Sequence, residues 1–520
     1  MGFIDYLSLQ NGSDIRGVAL AVPGGKEVNL TSEVVRNIGS AFAVFAAKRL
    51  NKQNLAELNI AIGRDPRLTG EEIADLLAEG ITLVGANAFL GGLASTPAMF
   101  MCCVNELKFD AGVMITASHL PMERNGMKFF FAGDGLEKAD ISAILSIAQS
   151  GEFNFAAETG RIAFTDVMTP YINGLKATIL RELGETDPDA KPFKGLKIAV
   201  DAGNGSGGFF AERLLKPLGA DTSGSRYIEP DGRFPNHQPN PENKQAMASI
   251  VEAVLASGAD FGIIFDTDVD RAGAVLPDGD GAVLLDRNRL IAMLTAILSR
   301  QYGPITVVTD SVTSTGLNEF ITNLGCTHHR FKRGYRNVIN EAKRLNALCK
   351  NSLPAARLAI ETSGHGAMPE NYFLDDGAYI IVKLLVELVR SIRCGRTLNA
   401  LIADLKEPAE STEARLDVIS DYTEKFTDIV LAHVRKYFEE QSGFSIVEPN
   451  YEGVRVNADY EHGDGWFLLR RSLHDPLMPC NIESNSIGGV KLLAAALLSA
   501  LEPFENINVA ALTEMSHGNY

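Results

Sequence analysis

The sequence predicts a chain of several α/β domains whose sheets are covered on both faces. Three observations carry that prediction. One local plan recurs along the chain, a short apolar run followed by a Gly-rich or polar loop and then an amphipathic stretch, which reads as strand, loop, helix. The composition, 46% apolar and 22% charged, is that of an ordinary globular protein. The length of 520 residues, at about 150 residues per domain, accommodates three or four domains, each able to bury its own core.

Taken in order, Leu58 to Ile62 is a strand that runs into Gly63-Arg64-Asp65-Pro66-Arg67-Leu68-Thr69-Gly70 and then into Glu71 to Leu83, whose apolar residues fall at helical spacing. Ala111 to Ile115 is a strand ending at Thr116-Ala117-Ser118-His119. Asp166 to Leu180 reads as a connecting helix, and Leu196 to Val200 as a strand before the Gly-rich turn 201–208 and the helix-like Phe209 to Leu218. Phe261 to Phe265 precedes an aspartate cluster, Ile305 to Val308 a polar loop and helix, and Ala356 to Ile360 the segment Glu361-Thr362-Ser363-Gly364-His365. Such alternation implies sheets buried on both faces, with ligands gathered where strands end. Breaks near 160, 285 and 412 divide the chain into 1–160, 161–285, 286–412 and 413–520, the last a smaller α+β unit in which the alternation weakens.

The charge balance, 48 Lys+Arg against 65 Asp+Glu, gives a net charge of −17, which repels nucleic acid and anionic membranes. Any anionic ligand therefore needs a local basic pocket. Six cysteines show neither a C-x-x-C pair nor zinc spacing and read as thiols in a reducing compartment. No Lys or Arg precedes Arg16, so the N-terminus lacks the pattern of a signal or transit peptide. Ile81 to Val104 is uncharged for 24 residues, but Gly85, Gly91, Gly92, Ser95, Thr96 and Pro97 interrupt it, and a buried helix-turn-strand passage explains it better than a membrane span. The expectation is a cytoplasmic chain with no nucleic-acid or membrane partner.

Four segments could carry chemistry. Asp266, Asp268 and Asp270 follow a strand at spacing i, i+2, i+4, so an extended chain would project all three carboxylates to one side. A hard divalent cation resolves their repulsion, and Mg2+ favours such oxygen ligands completed by water or phosphate. Arg271 follows and could bind phosphate; a solvated acidic turn is the alternative. Ser118 is the candidate nucleophile, with His119, Arg124, Asn125, Gly126 and Lys128 close behind, although a turn or cap serine is common in such loops. In an extended strand His119 would point away from Ser118, whereas Lys128 could neutralise phosphate or shuttle a proton. Glu361, Ser363 and His365 repeat the alternating spacing and suit hydrogen bonding to vicinal sugar hydroxyls, or else form a glycine-stabilised turn. Arg470, Arg471, Ser472 and His474 form either a phosphate clamp or a surface basic patch.

Gly203-Asn204-Gly205-Ser206-Gly207-Gly208 satisfies G-x-G-x-x-G between a strand and a helix, which makes an NAD-dependent dehydrogenase a rival class. Asp221, however, comes before the next strand, whereas a ribose-binding acid ends it. The glycines therefore read as a tight turn.

Together these segments resemble the α-D-phosphohexomutase family, of the phosphomannomutase/phosphoglucomutase type. Four motifs match in order: Thr116 to Pro121 with Asn125, Gly126 and Lys128; Asp266 to Arg271; Glu361 to His365; and Arg470 to Pro476. Asp14-Ile15-Arg16-Gly17 and Gly63 to Arg67 add support. The resemblance implies four domains around a central cleft, three related α/β mixed-sheet domains and a C-terminal α+β domain of the TATA-box-binding-protein-like type. It implies a Ser118 carried as phosphoserine, one Mg2+ held by Asp266, Asp268, Asp270 and a phosphoserine oxygen, and Arg16, Lys128, Arg271 and His119 around the reacting phosphoryl group. Glu361, Ser363, His365, Lys332, Arg333 and Tyr335 would hold the sugar, and Arg470, Arg471, Ser472, Leu473 and His474 the phosphate that is not transferred. The implied reaction interconverts hexose 1-phosphate and hexose 6-phosphate of mannose or glucose, through a hexose 1,6-bisphosphate that also primes the enzyme, in a monomer or homodimer. Phosphoglucosamine mutase and an inactive sugar-phosphate-binding relative are the alternatives within the resemblance. The chain departs from the usual pattern at Leu120 in place of Asn, at Thr267 and Val269 in place of Gly, at Leu473, His474 and Asp475 in place of Asn, Thr and Glu, and at Tyr335 in place of His.

Overall fold

A computed structural model describes residues 5–348, 354–419, 423–472 and 476–520. The chain divides into two compact units, one formed by the residues up to Asp286 together with Ser363–Ala400, the other by Arg287–Thr362 together with Leu401–Tyr520.

The first unit opens with a mixed eight-stranded sheet made of β1 (Gln10–Asn11), β2 (Asp14–Val18), β3 (Asn59–Arg64), β4 (Asn87–Leu93), β5 (Ala111–Ile115), β6 (Arg124–Phe131), β7 (Asp134–Gly135) and β8 (Ile162–Phe164), in the order β1-β2-β6-β5-β3-β4-β8, with β7 beside β6. Its centre, β5, is buried at every residue, as its unbroken apolar run requires of a strand covered on both faces. Helices α1 (Ser32–Arg49), α2 (Gly70–Leu83), α3 (Thr96–Met101) and α4 (Lys138–Ser150) follow in sequence. Val35, Ile38 and Phe42 of α1 join Leu77 and Ile81 of α2 in one core with Ile60, Val113 and Phe129 of the sheet. The uncharged run Ile81 to Val104 is the end of α2, then β4 and α3, and no described helix is long and apolar enough to cross a membrane.

Helix α5 (Met168–Leu183) leads to a second sheet of β9 (Ile198–Asp201), β10 (Phe261–Phe265), β11 (Ala272–Asp278) and β12 (Gly281–Leu285), ordered β12-β11-β10-β9, against which α6 (Lys244–Ser257) packs. The turn after β9 enters a π-helical segment, Phe210–Leu215, where the sequence predicts an ordinary helix.

The second unit begins with α7 (Arg287–Tyr302), β13 (Thr306–Thr309), α8 (Thr315–Asn323), β14 (Thr327–Arg330), α9 (Tyr335–Leu348) and β15 (Ala356–Ile360), with β13 pairing in parallel to β14 and β15. The chain re-enters the first unit with β16 (Gly366–Ala367) and α10 (Gly377–Arg393), whose N-cap Asp376 accepts from the Tyr379 N–H. It completes the second unit with β17 (Glu410–Asp417), α11 (Thr423–Glu439), β18 (Phe444–Ile446), β19 (Val454–Ala458), β20 (Gly465–Leu469), β21 (Leu477–Ser484), α12 (Gly489–Leu501) and α13 (Ala510–Ser516). These last strands form an antiparallel sheet ordered β17-β21-β20-β19-β18, with Val430 and Val434 of α11 and Leu493 and Leu497 of α12 packed into its core. This is the α+β arrangement expected of the last quarter. The cysteines among the described residues are free, and Cys349 lies outside those residues.

Candidate active site

Strand β5 ends at Ile115 and delivers Ser118 to a buried loop. Ser118 takes a left-handed backbone conformation, φ +52°, which is uncommon outside glycine and persists only where the surroundings over-determine it. Those surroundings are specific. The Thr116 hydroxyl accepts from the Ser118 N–H at 2.8 Å and donates to Asp65 Oδ2 at 2.7 Å. The Arg67 guanidinium, its side chain wholly buried, donates to the carbonyl oxygens of Ser118 and Leu120 at 2.6 Å, Pro121 at 2.7 Å and Arg124 at 3.0 Å, and to Asp65 at 3.2 Å. Burial pushes the Asp65 carboxyl up to about 6 against the pull of Arg67. The turn at Ser118 also corrects the expectation for His119. Its Nδ1 lies 3.2 Å from Ser118 Oγ and contacts the Arg271 guanidinium, so it shares the serine's side of the loop. Burial, and then the charge of Arg271, pull His119 down to about 3, which keeps its imidazole neutral.

Opposite Ser118 lies the segment 266–270, which is a turn and not the extended run that its i, i+2, i+4 spacing suggests. Asp266 N–H donates to Arg271 O at 3.3 Å to close it, and Val269 takes φ +69°. The outcome expected of the carboxylates is reached by this different route: all three are buried and offer oxygens within 4.8 Å of one another. Ser118 Oγ donates to Asp266 Oδ2 at 3.1 Å, and Arg271 reaches Ser118 Oγ at 3.0 Å and Asp266 Oδ2 at 3.2 Å. Lys128 Nζ, from β6, donates to Asp268 Oδ2 at 3.1 Å and Asp270 Oδ2 at 2.5 Å.

Electrostatically the turn is unbalanced. Burial, reinforced by the charges of Asp270 and Asp268, drives the Asp266 carboxyl well above the usual carboxylate range. Against the same burial, Lys128, His365 and Arg271 hold Asp270 well below it. Asp268 Oδ1 and Asp270 Oδ1 are buried with no hydrogen-bond partner. Buried oxygens of that kind are costly unless something satisfies them, and an all-oxygen donor set suits a hard divalent cation such as Mg2+. The residues present fit the metal.

The Gly-rich turn after β9 serves this loop. Ser206 N–H donates to Thr267 O at 2.8 Å, and a Cβ on Gly205 would meet that oxygen at 2.8 Å. A Cβ on Gly208 would stand 2.1 Å from Ile228 O. The glycines are spent on close approach of the chain to itself, as a tight turn requires, and Asp221 is an exposed residue bonded to its neighbour Ser223 N–H at 2.9 Å.

Arg16 of β2 pairs with Asp14 at 2.9 Å, and its charge is among those that depress His119. His365 forms a β-bridge with Arg271, and its Nε2 stands 3.7 Å from Asp270 Oδ1 and 3.6 Å from Asp375 Oδ2, with Nδ1 3.0 Å from Ser363 Oγ. The first unit thus gathers Ser118, His119, Lys128, the three aspartates, Arg271, Ser363 and His365. The 361–365 stretch is a turn with Gly364 at φ +94°, and not the single alternating face that the spacing suggests.

In the second unit Glu361 is buried and accepts from the Gly334 N–H at 2.6 Å. The sequence neighbours of Gly334 are exposed Lys332, half-buried Arg333, whose Nε is 3.7 Å from Asp310 Oδ2, and half-buried Tyr335 at the start of α9. Arg470, at the end of β20, is buried; burial and then the charge of Arg333 hold its pKa below the ordinary value. Arg471 is exposed and stands 3.6 Å from Asp428 Oδ1, so the two consecutive arginines have different surroundings. Ser472 N–H donates to Leu477 O at 3.1 Å. Leu473 and His474 lie outside the described residues.

Comparison with known proteins then decides the family. Sequence descriptions of phosphoglucomutase/phosphomannomutase alpha/beta/alpha domains I, II and III match residues 8–155, 169–279 and 286–408. A phosphomannomutase/phosphoglucomutase of Pseudomonas syringae pv. tomato is 30% identical over 479 residues, covering 91% of this chain and 90% of its own. The chain belongs to the phosphoglucomutase/phosphomannomutase family. A phosphoglucomutase of Neisseria meningitidis is 29% identical over 495 residues, 95% of this chain and 96% of that one. In three dimensions, a phosphoglucomutase/phosphomannomutase family protein of Burkholderia thailandensis superposes with a TM-score of 0.76 at 24% identity, covering 98% of this chain and 100% of that one, and shares the fold.

Beyond the motif residues, the structure adds members to this cluster that spacing did not assign. Asp65 and Arg67 figured in the sequence only as supporting matches, yet they hold the serine loop; their signal was an acid and a base two residues apart in a loop directly after a strand. Thr96, which touches Asp268, carries no local signal because 172 residues separate the two; Asp375, which faces His365, falls outside the i, i+2, i+4 pattern of its motif.

Proposed function

We propose that this chain is a phosphohexomutase that interconverts the 1-phosphate and 6-phosphate of a hexose, glucose or mannose, by way of a phosphorylated Ser118 and a hexose 1,6-bisphosphate. The observation that carries this reading is Ser118 Oγ standing 3.1 Å from Asp266 and 3.0 Å from Arg271, beside three buried aspartates. Near full-length similarity to relatives named phosphoglucomutase and phosphomannomutase/phosphoglucomutase supports it.

In this reading Asp266, Asp268, Asp270 and a phosphoserine oxygen hold one Mg2+ per chain. Bound there, the metal would supply positive charge to offset the roughly −1.5 to −2 charges of a phosphoserine and to ease departure of the serine oxygen. Arg271 donates to the same atom, and Lys128 adds a fixed cation on the aspartates; electrostatic stabilisation of this kind is the main work of phosphoryl-transfer catalysis. Ser118 gives its phosphoryl group to the free hydroxyl of the sugar phosphate: the Ser118 Oγ–P bond breaks as the sugar O–P bond forms, and the proton lost by the sugar hydroxyl is balanced by the one gained at Ser118 Oγ. After the bisphosphate turns around, its other phosphoryl group returns to Ser118 Oγ. The left-handed turn held by Arg67 and Asp65 fixes where Oγ stands in both half-reactions. Neutral His119 accepts a hydrogen bond from Arg271 without adding a competing positive charge.

The four segments 1–160, 161–285, 286–412 and 413–520 each bring one motif: the serine loop, the aspartate turn, the sugar-binding Glu361 and Ser363 with His365, Lys332, Arg333 and Tyr335, and the phosphate-binding Arg470 to His474. Arg470 and Arg333, set among Asp310, Glu413 and Glu452, offer two guanidinium groups to a phosphate that is held and not transferred. Arg16 joins the cations near Ser118. Because both sugar phosphates must use the same clamp in turn, it should recognise charge and leave the orientation of the sugar ring free. Thr116 and Asp14-Ile15-Arg16-Gly17 favour the mannose and glucose branch over glucosamine. A coupled assay on glucose, mannose and glucosamine 1-phosphates, primed with hexose 1,6-bisphosphate and Mg2+, tests the proposal: turnover of glucose or mannose phosphate is expected, and turnover of glucosamine phosphate alone, or of none, would overturn it.

A further inference from the structure

Ser95-Thr96-Pro97 interrupts an apolar run in the sequence, and in the fold it divides three tasks. Ser95 caps α3, its hydroxyl accepting from the Ala98 N–H, and Pro97 lacks a donor that the first turn would leave unsatisfied in any case. Thr96, the first helical residue, has a backbone N–H with no partner inside the helix. It turns both of its donors on one residue of the aspartate turn: Thr96 N–H reaches Asp268 O at 2.8 Å, and Thr96 Oγ1 donates to Asp268 Oδ2 at 2.5 Å. Both side chains are buried, so no water competes.

The two oxygens of Asp268 are consequently unequal. Oδ2 receives both Thr96 Oγ1 and Lys128 Nζ, the latter at 3.1 Å, whereas Oδ1 is buried with no hydrogen-bond partner. A carboxylate anchored by its backbone carbonyl and by one side-chain oxygen cannot rotate freely, and it presents the other oxygen in one direction. We infer that Thr96 is a positioning residue that fixes Asp268 as a one-oxygen metal ligand through Oδ1. The inference rests on the reading of the aspartate turn as the Mg2+ site. Partners that orient metal ligands in this way typically account for about 10- to 100-fold in metal affinity when removed.

Titration calorimetry of the full chain with Mn2+, a spin-active stand-in for Mg2+, tests this, with melting temperatures confirming that each variant is folded. Thr96→Val keeps the shape and removes the hydroxyl, and should bind Mn2+ about 10-fold more weakly or worse. Thr96→Ser keeps the hydroxyl and should bind as the wild type does. Thr96→Ala removes the hydroxyl without new contacts and carries the same expectation as the valine variant should that one not fold. In turnover, the Mg2+ concentration for half-saturation should rise while kcat at saturating Mg2+ stays close to wild type. Equal Mn2+ affinity in Thr96→Val and wild type, with Asp268→Asn weakened, would overturn the inference and leave the metal site standing. A Thr96→Ser variant as weak as the valine one would overturn it too, since the methyl group would then be what matters. A wild type that binds no Mn2+ would overturn the reading of the metal site itself, and this inference with it.

Discussion

The guanidinium of Arg67 donates to the main-chain carbonyl of Ser118 at 2.6 Å while its Nε reaches Asp65, both side chains being fully buried. One side chain from the loop after β3 therefore shapes the loop after β5. Ser118 is held by its backbone, which leaves its hydroxyl to face the aspartates and Arg271.

Removing Arg67 leaves Asp65 buried without its cation and takes a donor from four carbonyl oxygens, of which that of Pro121 keeps the Arg124 N–H. Arg67→Ala should destabilise the protein by about 3–5 kcal/mol, the range for breaking a buried pair by removing one partner. Arg67→Lys, with the charge but without the fork of five donors, should fall between the two. Urea unfolding midpoints check this, and an alanine variant as stable as the wild type would remove Arg67 from that role.

Val269 sits at φ +69° with its side chain fully buried. A left-handed backbone costs an L-residue about 1–2 kcal/mol, whereas a buried valine side chain contributes about 2 kcal/mol. The two nearly cancel, so Val269→Gly should cost no more than about 1 kcal/mol. Val113→Gly, in the buried strand β5, should cost about 3 kcal/mol, because there the glycine adds a backbone penalty. Equal losses at the two positions in chemical denaturation would show that Val269 is unstrained.

Asp376 accepts from Tyr171 OH at 2.7 Å, Tyr379 N–H at 2.9 Å and Asn371 Nδ2 at 3.0 Å, and burial nevertheless raises its carboxyl to about 6. A carboxyl whose folded pKa exceeds its unfolded one contributes stability that is present below about pH 4 and lost as pH rises through about 6. Between pH 5 and pH 7 the wild type should therefore lose about 1–2 kcal/mol relative to Asp376→Asn, which does not titrate. A pH-independent difference between the two would contradict this.

Lys128 is the cation shared by Asp268 and Asp270. Lys128→Met should lower kcat on the order of 100-fold or more, the usual loss for one preorganised donor at a developing charge, while circular dichroism stays that of the wild type. Unchanged kcat would place Lys128 outside the reaction.

Much of this was legible in one dimension because it is local. Apolar runs such as Phe261 to Phe265 became strands, and each chemical motif sits directly after one. The spacing of Asp266, Asp268 and Asp270 announced a convergence of carboxylates, but it suggested an extended geometry, because the left-handed Val269 cannot be read from a β-branched residue that favours strands. Ser118 misled in the same way: its φ of +52° is imposed by Thr116, Asp65 and Arg67, and this brought His119 to the side from which an extended chain would have turned it away. Thr96 and Asp268 are 172 residues apart, and no local pattern links them. The glycines after β9 matched a dinucleotide fingerprint because close backbone approach requires glycine whether the approaching group is a pyrophosphate or, as here, Thr267.

The most direct test follows the phosphoryl group itself. The protein is incubated with Mg2+ and glucose 1,6-bisphosphate, desalted, digested and analysed by peptide mass spectrometry. One phosphoryl group on Ser118, absent in Ser118→Ala and released when glucose 1-phosphate or glucose 6-phosphate is added, is the predicted result. Turnover of sugar phosphate by Ser118→Ala at the wild-type rate, or a phosphoryl group found on another residue, would contradict it.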